Sequence, residues 1–305
     1  MPDPVLFLKA IVASGAVSAI VAATITLLWR PASASRINAA CISGLAFGAV
    51  VGYRVLGLAP HWPPVDGLDR FLLVLFPAAV VIELIAGVHG VPRWLAWVLR
   101  IGLAAVAGRV LLHGSSYLDG SSSDWTAGQT WIALIVCAAV LAIVWGLVVW
   151  LWQRRGGISI SIAVSQTCVA AGMALMLSGY LTGGKAALPL AAGLAGATIA
   201  AHLAAKRSAC AGAIGIGIVS LFSILVLGRF FGELSTGRAV VVFLAPLLCW
   251  TTELPILRNR KPGLVAAIRL ALVALPLAAV LILAQRDFAR NSAEPGGAEY
   301  ESYEY

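Results

Sequence analysis

Ten apolar stretches follow one another along this chain, most of them long enough to cross a bilayer, with short loops between them. A hydrocarbon core is about 30 Å thick and a helix rises about 1.5 Å per residue, so one crossing takes about 20 apolar residues. Composition agrees, because 61% of the residues are hydrophobic and 11% are charged, whereas soluble domains carry about 25% charged residues. The chain is therefore predicted to be an all-α polytopic membrane helix bundle.

The ten spans account for most of the chain. They are predicted at residues 5–28, 37–58, 71–88, 92–113, 129–152, 158–181, 186–205, 209–231, 238–256 and 262–285. The first is too long for a signal peptide and lacks its cleavage site, so it counts as a helix. Residues 1–285 are thus predicted to form one transmembrane domain. Residues 286–305 are predicted to be an acidic, disordered tail.

Loop charges predict the orientation of the helices. Connections after the odd-numbered spans are basic and contain no acid; their residues are Arg30, Arg36, Arg93, Arg154, Arg155, Lys206, Arg207, Arg258, Arg260 and Lys261. The other connections contain Asp66 and Asp69 beside Arg70, Asp119 and Asp124, a lone Lys185, and Glu233 close to Arg229 and Arg238. Because basic loops remain cytoplasmic during insertion, both termini are predicted to be outside. The lipid bilayer is the predicted surrounding, and basic residues scattered over short loops do not indicate nucleic-acid binding.

Arginine strongly outnumbers lysine, and alanine and glycine are abundant. This composition is typical of a GC-rich bacterial genome, so a bacterial inner membrane is the predicted location.

Rare residues recur in order when the chain is shifted by 169 residues. The shift superposes Cys41 on Cys210, Gly48 on Gly217, Pro77 on Pro246 and Arg100 on Arg269, and one further residue of shift superposes Glu83 on Glu253. Spans two to four therefore resemble spans eight to ten, which predicts a parallel internal repeat of residues 37–113 and 209–285. Chance alignment in a compositionally biased chain is the alternative.

Four ionisable residues lie inside predicted spans and are the candidates for a substrate or ion path: Glu83, Arg100, Glu253 and Arg269. Charges at this depth are costly and usually face the protein interior or a water-filled cavity. Within each half, the glutamate and the arginine lie at similar depths on adjacent antiparallel spans. Glu83 is therefore expected to form an ion pair with Arg100, and Glu253 with Arg269. The pairs either brace the hairpins structurally or line a polar path.

Pro77 and Pro246 precede Glu83 and Glu253 by six and seven residues. Proline removes a backbone donor and kinks or interrupts a helix. Interruptions at matching places in two halves indicate a transporter site. The alternative is that both prolines are simply tolerated, as prolines often are in membrane helices.

A second set of polar residues is predicted at the outer surface. Its members are Arg54, Asp66, Asp69, Arg70, Arg109, Arg229 and Glu233. An anion-binding vestibule is one interpretation. Arginines that extend to the headgroups from just below the surface are the other, particularly for Arg54 and Arg109.

Glycines recur every four residues on span two, at Gly44, Gly48 and Gly52. Such a stripe lets another helix approach closely. The partner is either a helix of the same chain or a second copy or membrane-complex subunit.

The cysteines indicate no cofactor. Cys41, Cys137, Cys168, Cys210 and Cys249 lie in or at the edges of spans, without CxxC or Cys/His ligand spacing. The expectation is buried thiols, with neither a disulfide nor a metal site.

Catalytic signatures are lacking, since the chain contains no HExxH or P-loop motif. Ser178 and His202 could be considered as a serine-protease dyad, but the segment around Ser178 lacks the first glycine of the GxSG motif. The favoured hypothesis is a small-solute transporter rather than an enzyme. The alternatives are a structural or assembly subunit of a membrane complex, and a lipid-linked transferase using the outer residues Asp66, Asp69, Arg70 and Arg109.

Overall fold

The computed structural model describes residues 4–29, 33–119, 126–155, 157–205, 210–253 and 261–293. The orientation prediction also rests on Arg30, Asp124, Lys206, Arg207, Arg258 and Arg260, which lie outside these ranges, as do residues 294–305 of the predicted tail. The described part is 88% helical and contains no strand, which confirms the all-α bundle. Its long helices are α1 (Pro4–Leu28), α2 (Ala34–Val55), α3 (Gly67–Gly87), α4 (Arg93–Leu112), α5 (Ala127–Arg155), α6 (Ile158–Leu177), α7 (Leu181–Ala205), α8 (Ala211–Phe231), α9 (Thr236–Leu244) and α10 (Pro262–Ala293).

Nine of these helices, all except α9, are long and apolar enough to cross a membrane. The ninth predicted span differs from the others. Helix α9 ends at Leu244, and a 3₁₀ helix, Ala245–Glu253, continues it. Pro246 lies at this junction and lacks the N–H that an α-helix would use there. A tighter, poorly bonded helical form therefore follows α9 in this segment.

Helix α3 is irregular at the matching place. Its first turn, Gly67–Arg70, is followed by a π-helical turn, Phe71–Leu75, and then by α-helix from Phe76 to Gly87. Pro77 is the second residue after the π turn. Both prolines predicted to break a helix thus lie where the backbone departs from α-helical geometry.

Helix α8 occupies the centre of the bundle, with 94% of its apolar window buried. It contacts α2, α3, α4, α5, α6, α7 and α9. Helices α1 and α10 lie outermost, each with 22% of its window buried. Helix α10 continues to Ala293, so residues 286–293 of the predicted disordered tail extend the last helix.

The glycine stripe of α2 packs inside the chain. A Cβ on Gly44 would lie 2.6 Å from the Ser18 carbonyl oxygen of α1, and one on Gly48 would lie 2.5 Å from that of Ser14. A Cβ on Gly52 would lie 2.4 Å from Pro189 of α7. Close approach to α1 and α7 accounts for all three glycines, so the stripe is not a free surface for a second copy or another subunit.

Buried serines join α1 to α7. The hydroxyls of Ser14 and Ser18 donate hydrogen bonds of 2.6 Å to the carbonyl oxygens of Pro189 and Gly193. Both serines are fully buried. In a membrane such bonds spare the hydroxyls from facing hydrocarbon without a partner.

The expectation of unpaired cysteines was wrong for two of the five. Cys41 of α2 and Cys210, the residue before α8, form a disulfide with their Cα atoms 5.8 Å apart. Cys137, Cys168 and Cys249 are free. Motif spacing could not reveal this pair, because the two residues are 169 positions apart and only the packing of α2 against α8 brings them together.

We expect thiol counting to detect this bond. After denaturation without reductant, an alkylating reagent should add to three thiols per chain, and after reduction to five. Intact-mass spectrometry measures both numbers. The Cys41→Ser variant should expose Cys210 as one additional thiol without reductant. Five additions before reduction would contradict the disulfide.

Candidate functional site

Glu83 and Arg100 form a bidentate ion pair between α3 and α4. The guanidinium Nε donates to Oε1 and Nη2 donates to Oε2, each over 2.8 Å. The Glu83 side chain is 1% exposed and that of Arg100 is 9% exposed. The predicted pairing of these residues is confirmed. Two parallel charge-assisted bonds satisfy both of these buried groups.

Two tryptophans and a glycine enclose this pair. The Arg100 guanidinium carbon lies 5.2 Å from the Trp97 ring centroid and 5.8 Å from that of Trp145. A Cβ on Gly215 of α8 would lie 2.5 Å from Glu83 Oε1 and 2.7 Å from Trp145 Nε1. Helices α5 and α8 therefore close over the pair, and cation–π contacts add to its stabilisation.

Sequence reasoning missed these neighbours. Trp145 is a tryptophan too deep for the headgroup region, and Gly215 lies within a small-residue stretch from Gly212 to Gly217. Both signals are typical of buried packing, but neither names the carboxylate against which the residues pack.

The second pair, Arg269 with Glu253, is longer than the first, and Arg269 has additional partners. Its Nη2 is 3.7 Å from Glu253 Oε1, so the second predicted pair is within salt-bridge distance. Its Nε donates to Thr252 Oγ1 over 2.7 Å, and its Nη1 donates to Ser159 Oγ of α6 over 3.2 Å. Arg269 is buried, whereas the Glu253 side chain is 21% exposed. The second pair is therefore longer, shares its arginine with hydroxyls and is partly accessible.

Two cavities lie on the flank of the bundle. One, of about 380 Å³, is bounded by α5, α8 and α9. The other, of about 350 Å³, is bounded by α4 and α5. Neither is lined by Glu83, Arg100, Glu253 or Arg269.

Among the outer candidates, Asp69 organises the loop before α3. Its carboxylate accepts backbone hydrogen bonds from His61 and Val65 over 3.2 and 3.3 Å and lies 3.4 Å from the His61 imidazole. Asp66 caps the helix by accepting from the Asp69 backbone N–H. Arg70 donates to the Val65 carbonyl oxygen. These contacts hold the loop together.

Tyr180, in the turn between α6 and α7, lies near the same loop. Burial, reinforced by the carboxylates of Asp66 and Asp69, raises the pKa of Tyr180 to about 12. Its phenol therefore stays protonated at neutral pH and is unsuited to act as a base there.

The remaining outer candidates have other contacts. Arg109 lies 5.7 Å from the Trp131 ring centroid, and Arg229 donates from Nε to Thr236 Oγ1 over 2.6 Å. Arg54 and Glu233 are exposed. A shared vestibule remains a prediction.

Ser178 and His202 cannot form a catalytic dyad. Ser178 lies just before α7 begins at Leu181, and His202 lies in the last turn of that helix. From Leu181 to His202 the helix rises about 30 Å, at about 1.5 Å per residue. The hydroxyl and the imidazole therefore lie at opposite ends of α7, far beyond hydrogen-bond distance.

Metal ligation has no support in the described ranges either. They contain no group of three His, Cys, Asp or Glu side chains that could hold an ion.

No protein-family model, curated protein or solved structure matches this chain.

Proposed function

We propose that this protein transports a small solute across a bacterial inner membrane, with both termini outside and with Glu83, Arg100, Glu253 and Arg269 lining or bracing the path. The single observation that carries the proposal is the pairing of a helix irregularity with a glutamate–arginine ion pair, which occurs twice. Transporter sites are commonly built where membrane helices are interrupted at corresponding places in two halves.

The two irregularities have corresponding positions but different forms. In α3 a π turn precedes Pro77, and Glu83 follows on the next turns of the same helix. After α9 a 3₁₀ helix contains Pro246 and ends at Glu253. Each irregular segment thus leads to a glutamate that contacts an arginine of the following helix. In these segments the regular backbone hydrogen bonds of the α-helix are already interrupted, so the helix can bend there.

The second pair has the features of a solute contact. Arg269 already binds two neutral hydroxyls, and its distance of 3.7 Å to Glu253 is longer than a charge-assisted hydrogen bond. A carboxylate or phosphate group of a solute could replace Glu253 at the guanidinium without leaving the arginine unpaired. The closed pair of Glu83 and Arg100 would then be a fixed brace in the other half.

The disulfide supports the proposed parallel repeat. Cys41 and Cys210 are equivalent under the 169-residue shift, and they are bonded to each other. Equivalent residues that touch must lie beside the axis that relates their units. The surroundings of the two units differ, however, because α8 is central whereas α2 packs chiefly against α1 and α7.

A structural or assembly role is the second candidate. One observation favours it: Glu83 and Arg100 satisfy each other completely, and neither described cavity reaches either pair. In a scaffold, both pairs would remain closed at all times.

Accessibility of Thr252 distinguishes the two functions. Thr252 is 1% exposed and contacts Arg269 directly, so only opening of a path would bring water to it. In a background with Cys137, Cys168 and Cys249 replaced by alanine, Thr252→Cys is expected to react with a membrane-impermeant methanethiosulfonate from at least one side of oriented vesicles. The reaction rate should change when a transported solute is added.

Ser220→Cys in the same background is the matched control. Ser220 is fully buried on α8 and should remain unmodified from both sides. Uptake of radiolabelled amino acids, sugars and carboxylic acids into proteoliposomes supplies the second readout, with Arg269→Met expected to abolish any uptake seen. Thr252→Cys that stays as inert as Ser220→Cys, together with no uptake of any solute, would contradict transport and leave the structural role.

A further inference from the structure

The cavity between α5, α8 and α9 has a polar end and an apolar remainder. Arg229, two residues before the end of α8, and Thr236, the first residue of α9, line one end. Phe222 and Leu244 line the part farthest along those two helices. From Phe222 to Arg229 the cavity extends about 10 Å along α8, at about 1.5 Å per residue.

The side of this cavity is open to the surroundings of the bundle. Val136 of α5 and Val240 of α9 line it and are 53% and 47% exposed. Phe222 and Phe243 form its floor, with ring centroids 5.7 Å apart in an edge-on arrangement. Val136 lies on α5, and both α5 and α8 are long enough to cross the membrane, so hydrocarbon is the medium expected at this open side.

Arg229 gives the polar end of the cavity a positive charge. Its contacts in the described part of the chain are the hydrogen bond to the neutral Thr236 hydroxyl and the Phe230 ring, whose centroid is 5.9 Å away. None of the salt bridges among the described residues includes Arg229. The guanidinium geometry suits a phosphate oxygen.

We propose that this groove binds an anionic membrane phospholipid, with its phosphate at Arg229 and Thr236 and one acyl chain along Phe222, Val240 and Phe243. Charge at one end and an apolar channel below it match the two parts of a lipid in the correct order. The volume of about 380 Å³ lies in the range of small-molecule sites and admits part of one chain. This site is separate from the two ion pairs and does not depend on the transport proposal.

Cys137 is a native probe of the groove, because it lines the wall contributed by α5 and is a half-buried free thiol. In a variant with Cys168→Ala and Cys249→Ala, it is the free thiol that remains among the five cysteines, since Cys41 and Cys210 are bonded. A bound acyl chain should shield it from N-ethylmaleimide.

The test compares labelling of Cys137 in nanodiscs that hold one copy of the protein. The discs contain either phosphatidylcholine alone or phosphatidylcholine with added phosphatidylglycerol. The anionic lipid is expected to slow labelling about fivefold, the factor for one arginine acting on an anionic headgroup. Arg229→Gln should remove this difference, and Arg229→Lys should keep most of it. Arg109→Gln is the matched control, because Arg109 lines the other cavity of α5, and its removal should leave the difference unchanged.

Direct lipid binding is the second measurement. Native mass spectrometry should show phosphatidylglycerol retained by the protein and lost in Val240→Trp, which fills the groove and keeps Arg229. Phosphatidylcholine carries the same phosphate with no net negative charge, so equal labelling in both lipids would overturn the proposed binding of an anionic phospholipid. Protection that appears only with two protein copies in a disc would mean that a neighbouring helix covers the groove, and would overturn the lipid proposal.

Discussion

Glu83→Leu is expected to lower the folded yield and thermal stability of this protein more than Arg100→Met does. Removing one member of a buried ion pair costs about 3–5 kcal/mol, a large part of a typical folding free energy of about 5–15 kcal/mol. The two losses differ because a carboxylate left alone can take up a proton and become neutral, whereas a guanidinium keeps its charge. Size-exclusion profiles and melting temperatures of the detergent-purified variants measure the effect.

The double variant, Glu83→Leu with Arg100→Met, provides the decisive comparison. Replacing both members by apolar residues removes the uncompensated charge, so it should recover much of the stability lost in Glu83→Leu. Glu253→Leu is the matched control in the other half, since its pair is longer and partly exposed, and it should cost less. Equal melting temperatures for Glu83→Leu and Glu253→Leu would contradict the role assigned to burial.

Gly215→Ala is expected to destabilise the protein by about 1–3 kcal/mol, the usual cost of overpacking a core. The added methyl would lie 2.5 Å from Glu83 Oε1 and 2.7 Å from Trp145 Nε1. Neither neighbour can move freely, because the Glu83 carboxylate is held by two bonds to Arg100 and Trp145 is fully buried. The melting temperature is the quantity to measure, and it should be lower than that of the wild type.

Gly102→Ala is the control for helix propensity. Gly102 lies on α4, and a Cβ there would meet no heavy atom within 4 Å. The change should therefore stabilise by about 0.5–1 kcal/mol, the usual advantage of alanine within a helix. In a Glu83→Ala background the Gly215→Ala penalty should shrink, because the clashing carboxylate is gone. Similar melting temperatures for Gly215→Ala and Gly102→Ala would refute the contact.

Hydropathy and rare residues predicted a substantial part of this molecule. Apolar length sets where a helix can cross, which accounts for the nine long helices. The pairing of Glu83 with Arg100 could also be predicted, because a short connection makes α3 and α4 antiparallel neighbours and places the two charges at one depth. The same argument predicted that Arg269 would pair with Glu253. These inferences need only the order of residues along adjacent helices.

The lateral arrangement of the helices could not be predicted in that way. Apolar faces look alike whether they contact lipid or protein, since lipid tails are as apolar as leucine. Consequently the sequence did not indicate that α8 would be central, that Gly215 and Trp145 would enclose Glu83, or that α1 and α7 would cover Gly44 and Gly48.

The cysteines illustrate the same division. The sequence by itself placed Cys41 and Cys210 at matching positions under the 169-residue shift, and it indicated which charges were expected to pair. Only the tertiary structure decided that those cysteines meet and that one ion pair is closed while the other is shared with hydroxyls. The physical reason is that depth in a membrane follows from position along one helix, whereas contact depends on which helices pack side by side.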